Sequence, residues 1–265
     1  MTNDCRDGAS DRAHYSVLPP RPAQVSAELE PPRLMQSRGP LGDEDLSGYP
    51  NTWLLLGGRD GSCVATTVGP RALITAGHCV EDGAEYDFWQ SDVPVRARCV
   101  GMPGHDLAVC LAVQEGKTFI KPGGGYESID TSSAGPGLPQ EAKVAVVTFM
   151  DCPGRPSPTS EPTPMVNTPT LDITHWPVST SLALAQAEGT QADRLCPGDS
   201  GGPWMVKARD QAGARRFVAV YTWGSGAETA LGAPLNQERV IAFLRHAGGG
   251  AICGLDRPAG QGDCR

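Results

Sequence analysis

The stretch Cys196-Pro197-Gly198-Asp199-Ser200-Gly201-Gly202-Pro203 sets a single hydroxyl residue among glycines, which permit a tight backbone around it. A serine hydroxyl is a poor nucleophile near neutral pH. Chemistry at Ser200 therefore requires a base within hydrogen-bond reach and donors aimed at a developing oxyanion. Two other segments supply the missing parts. Leu73-Ile74-Thr75-Ala76-Gly77-His78-Cys79 reads as an apolar strand that delivers a His onto a turn beside a cysteine. Gly104-His105-Asp106-Leu107-Ala108-Val109 sets an Asp before an apolar run, where it can be held buried at a strand start. Each residue alone has a bland reading, as a turn serine, a core histidine or a turn-capping aspartate, but their joint occurrence favours nucleophilic catalysis. His105, His175 and His246 lack Cys or carboxylate partners at metal-ligand spacing and read as solvated or structural.

T-A-G-H-C, D-L-A-V and C-P-G-D-S-G-G-P, in the order His, Asp, Ser, resemble the signature segments of the trypsin/chymotrypsin-like serine proteases. The resemblance runs from about Trp53 to the last helix and is that of a divergent, bacterial-looking member. It implies an all-β fold of two packed six-stranded antiparallel β-barrels with a C-terminal helix, the cleft lying between the barrels. It also implies a serine endopeptidase working through an acyl-enzyme on a protein or peptide substrate. His78 would act as general base and Asp106 would fix its tautomer. Backbone N–H groups of Gly198 and Ser200 would form the oxyanion hole. Cys63 and Cys79 fall where the family bridges the His turn. Val218–Gly224 resembles the strand that pairs with substrate backbone, making Thr222, Trp223 and Gly224 substrate-binding, with Thr222 where Ser is commoner. Arg194, six residues before Ser200, stands at the floor of the specificity pocket. There it would repel Lys or Arg and accept an acidic side chain, unless the adjacent Asp193 neutralises it.

The sequence also departs from the family. No Ile/Val-rich activation string precedes Trp53, although Arg33-Leu34 and Arg38-Gly39 offer cut sites. Asp199 would then need another cation, or the chain is a zymogen awaiting an activating protease, or a catalytically inactive protease-fold binding protein. His78 and Asp106 are only 28 residues apart, which leaves Asp130 as a substitute, though polar TSSAGPG follows Asp130 where a strand is wanted. The pocket bridge from Cys196 has no partner in SGAETALG, so Cys152 or Cys253 are its candidates, while Cys99 and Cys110 suit a short hairpin.

Nine cysteines without paired C-x-x-C spacing point to disulfides in an oxidising compartment, secreted or periplasmic, with at least one thiol left over. The 265 residues, with 33 Gly and 24 Pro, suit many short strands and turns. Residues 1–50 are Pro-rich and polar and read as an extended lead-in or pro-segment; 51–135 then form the N-terminal barrel, and 136–265 the C-terminal barrel with helix and tail. WLLLGG, SCVATTVG, RALITAGH, DLAVCLAV, KVAVVTFM and RFVAVYTWG read as strands, and six prolines between Asp151 and Thr170 as a long surface loop. PLNQERVIAFLRHAGGG places Leu235, Val240, Ile241 and Leu244 at helical spacing, predicting a helix over 235–247. A net charge of −8 without a basic, aromatic-laced run excludes a nucleic-acid surface. No apolar run approaches the ~20 residues of a membrane span. The chemistry calls for no metal or organic cofactor.

Overall fold

A computed structural model describes residues 51–59, 61–90, 94–119, 125–131, 143–146, 170–178, 180–189, 195, 197–207, 215–224 and 229–255. The lead-in, the loop at 151–169, Arg194, Cys152 and Cys196 lie outside the described residues.

The described chain is mostly β, as the turn-rich composition requires. Strands β1 (Thr52–Gly58), β2 (Gly61–Gly69), β3 (Ala72–Thr75), β4 (Glu85–Trp89), β5 (Val95–Gly101) and β6 (Ala108–Ala112) form a closed antiparallel barrel in the order β1-β2-β3-β6-β5-β4. A second antiparallel sheet comprises β7 (Lys143–Val146), β8 (Thr170–His175), β9 (Ala185–Glu188), β10 (Pro203–Lys207), β11 (Arg215–Gly224) and β12 (Thr229–Pro234). It curls in the order β10-β11-β12-β9-β8-β7 until β7 pairs back with β10.

Alternation explains how the first barrel closes. In β5, Val95, Ala97 and Cys99 face the core while Arg96 and Arg98 point out. There Arg96 pairs with Asp87 at 2.8 Å and Arg98 with Glu85 at 2.6 Å, each directly opposite in the β4–β5 register. β3 is buried throughout, and its Ala72, Leu73 and Ile74 belong to the cluster that also holds Met205, Phe217, Val240 and Leu244.

The helix α1 (Glu238–Gly248) begins later than the apolar spacing predicts. Pro234 ends β12, and Leu235 remains in sheet-like pairing, its N–H donating to the Val218 carbonyl at 2.9 Å. Gly249, at φ 52, adopts the left-handed conformation that stops the helix. Although α1 follows the second sheet in sequence, Val240 and Leu244 pack into the buried cluster of the first barrel, with Leu73, Ile74 and Cys110. Burial of each such side chain stabilises by roughly 1.5–3 kcal/mol. The same cluster continues through Met205, Phe217 and Val220, so the two sheets share a core.

Candidate active site

The antiparallel pairing of β3 with β6 puts Thr75 opposite Ala108. Residues leaving β3 and residues entering β6 must therefore meet at the same barrel end. His78 sits there on the short 3-10 turn Gly77–Cys79, and Asp106 lies two residues before β6. Gly77 is required by this approach: a Cβ would come within 2.9 Å of the Leu107 nitrogen and 3.2 Å of an Asp106 oxygen.

Asp106 Oδ1 accepts the backbone N–H of His78 at 2.8 Å, and Oδ2 accepts from ring Nδ1 at 2.8 Å. A carboxylate only accepts, so Nδ1 carries a proton, and in the neutral ring Nε2 is the acceptor nitrogen. Burial opposes ionisation of Asp106. The His78 ring bond and charge, joined by the His78 and Gly77 N–H groups, outweigh that penalty and hold its carboxyl below the usual carboxylate range.

Ser200 lies where the two sheets meet. Its carbonyl accepts the Val64 N–H of β2 at 2.7 Å, and the next N–H, of Gly201, donates to Tyr221 O of β11 at 2.7 Å. Cys79 Sγ, one residue from His78, is 3.9 Å from the Ser200 carbonyl oxygen. Gly198 and Gly201 take φ of 107 and 89, conformations open to glycine and strained for other residues. Asp199 is fully buried, and its charge adds to burial in raising the Tyr221 hydroxyl well above its ordinary range. The Ser200 hydroxyl donates to the Thr222 carbonyl at 3.3 Å, and the Thr222 hydroxyl donates to Leu231 O at 3.3 Å. A register shift between Tyr221 and Trp223 turns the strand here, and Trp223 stands 59% exposed beside Ser200's segment.

Cys63 and Cys79 are disulfide-bonded, tying β2 to the His78 turn; Cys99 and Cys110, directly opposite across β5 and β6, are bonded as well. Cys253 is also in a disulfide, with a partner outside the described residues. His78, Cys63 and Cys79 come within 4.8 Å of one another, but the two sulfurs are bonded together and offer no thiolate to a metal. A cleft of about 380 Å³ opens beside His78, lined by Arg59, Met102, His105 and Asp106 among others.

The structure joins His78 to Asp106 and Ser200 to Thr222, and Cys79 sets the His78 turn against the Ser200 carbonyl. Asp130 is elsewhere: its N–H donates to Phe217 O at 3.0 Å, while Asp106 occupies the position beside His78. Two cleft residues escaped sequence reasoning. Arg59 carries no motif; His105 takes the structural of its two expected readings, 8% exposed and docked against the segment before β9, and it is its place in the cleft that the sequence left unread. Neighbouring Asp106 was the one available signal for His105.

Such a site can take a proton from a hydroxyl onto Nε2 and hold the resulting imidazolium against a carboxylate. No protein-family model matches the chain, and no characterised protein sequence matches it at a significant level.

Proposed function

We propose that the chain is a serine endopeptidase of the trypsin/chymotrypsin-like type. The observation that carries the reading is the double grip of Asp106 on His78, through backbone N–H and ring Nδ1, both at 2.8 Å. Ser200 Oγ adds to the scissile carbonyl while Nε2 of His78 takes its proton. The N–H groups of Gly198 and Ser200 receive the oxyanion, and Asp106 stabilises the imidazolium. The imidazolium then protonates the leaving amine, and water attacks the acyl-enzyme by the same base. Thr222, Trp223 and Gly224 align the substrate backbone. Arg194, from its sequence position, directs cleavage after acidic residues.

A latent form of this enzyme is the second reading. It is favoured by the Ser200 hydroxyl bonding to the Thr222 carbonyl at 3.3 Å, since that bond must break before the proton passes to an imidazole. The lead-in at 1–50 would then be removed by an activating protease. The disulfides support export to an oxidising compartment.

A fluorophosphonate probe tests both readings. An adduct at Ser200 in the intact chain, absent from Ser200→Ala, supports an assembled protease. An adduct only after limited proteolysis of 1–50 supports the latent form. No adduct in either state refutes the protease assignment and favours the binding-protein alternative.

A further inference from the structure

We propose that His105 is a positioning residue that latches the Asp106 turn of the first barrel onto the second sheet, holding Asp106 and His78 in register with Ser200. The inference rests on the protease reading of the same site.

The turn around Asp106 is closed locally by backbone bonds. Met102 N–H donates to Leu107 O at 2.8 Å, His105 N–H to Met102 O at 3.2 Å, and Leu107 N–H to His105 O at 2.9 Å. These fix the shape of the turn but not its place relative to Ser200, which belongs to the other half of the chain. The His105 side chain supplies that placement. Its Nδ1 lies 3.2 Å from Leu182 O, and because a carbonyl only accepts, Nδ1 carries the proton. Leu182 belongs to the run entering β9, itself fixed by Gln237 Nε2 donating to Ala183 O at 3.2 Å. The other ring nitrogen, Nε2, is buried without a hydrogen bond, close enough to the Pro234 carbonyl at the exit of β12 for that carbonyl to act on the ring's titration.

Leu182 and Pro234 come together for a topological reason. β9 and β12 are paired antiparallel with Ala185 opposite Gly232, so the entry of one strand and the exit of the other share an end of the sheet. The His105 ring plugs that end. The arrangement is reciprocal: Ser200, from the second half, is bonded to Val64 of the first barrel, and His105, beside Asp106, is bonded to Leu182 of the second half. Each chemistry-bearing segment is thereby anchored on the opposite side of the cleft. Rotation of one sheet against the other would separate base from nucleophile, and both anchors oppose it. A hydrophobic residue at 105 would fill the volume and leave the Leu182 carbonyl unbonded.

The test compares wild type, His105→Ala and His105→Asn, the last keeping an N–H donor for Leu182 O. His105→Leu replaces the alanine variant should that one not fold. Two readouts are taken below each protein's Tm: the fluorophosphonate inactivation kinetics and the low-field NMR resonance of the His78 Nδ1 proton. The latch requires that His105→Ala lower the maximal inactivation rate about ten- to a hundredfold at unchanged probe affinity and shift or broaden the resonance, with Asn restoring both. An inactivation rate and resonance unchanged in His105→Ala overturn it, as does a folded His105→Asn that restores neither. A wild-type protein that never labels at Ser200 overturns the protease reading instead, and the resonance alone then decides whether His105 positions Asp106.

Discussion

Asp106 holds His78 by two different atoms of the same residue, its backbone N–H and its ring Nδ1–H, each at 2.8 Å. Backbone and ring are thus fixed by one rigid carboxylate plane. The ring cannot turn about its χ angles without breaking a charge-assisted bond, and its neutral tautomer carries the proton on Nδ1.

Asp106→Asn keeps the shape but supplies an amide that can donate to Nδ1 and so favours the wrong tautomer. The turnover rate should fall about 10⁴-fold with little change in Tm. Steady-state kinetics beside a thermal melt decide the matter. A loss of less than about tenfold would mean that the His78 tautomer is set by something other than Asp106.

Acid should weaken the fold in two windows. Burial depresses the His105 pKa, opposed in part by the Leu182 carbonyl and the facing Asp106 carboxylate. The unfolded chain therefore binds the proton more readily, and stability present above about pH 6.5 is lost as pH falls through the lower folded value. Asp106, held below its ordinary range by His78, adds a second loss below about pH 3.9. Denaturant melts between pH 7 and 5 should slope downward in wild type and flatten in His105→Asn. Equal slopes in the two proteins would exclude His105 as the source.

Gly201 touches the first barrel so closely that a Cβ would overlap the Val64 carbonyl oxygen and the Thr75 hydroxyl, and its φ of 89 is strained for any other residue. Gly201→Ala must push Ser200 off Val64, which we expect to cost at least about 2 kcal/mol and to abolish probe labelling. Urea unfolding and labelling on one sample measure both; a variant as stable as wild type would contradict the close docking.

The Cys63–Cys79 bridge closes a loop of 16 residues around His78. Replacing both cysteines by alanine should lower stability by about 3 kcal/mol, the loop-closure contribution for that length. The change in the guanidinium midpoint, at constant slope, gives the value. Because Cys79 also lies 3.9 Å from the Ser200 carbonyl, activity should fall in the same variant even at temperatures where it is fully folded.

What the sequence determined by itself was the local chemistry. Glycines around Ser200, an apolar strand before His78 and one after Asp106 dictate backbone shape over a few residues, and such shapes are legible in a string. The strands with strong apolar character, from β1 to β3, β6 and β11, were legible for the same reason. Strands β4, β5, β8, β9, β10 and β12 were not; in β4 and β5 the ladder is lined by charged pairs such as Arg96 with Asp87, whose partners only the register supplies. The start of α1 was misread since Leu235 has helical spacing yet remains bonded to Val218, a contact no periodicity encodes. The apolar strand after Asp106 already favoured it over Asp130 as the partner of His78, and tertiary structure alone decided that α1 covers the barrel farther from it in sequence and that His105 enters the second half of the fold. Each of these depends on which ends of which strands coincide. That is fixed by burial of the shared core, a property of the whole chain that no single segment carries.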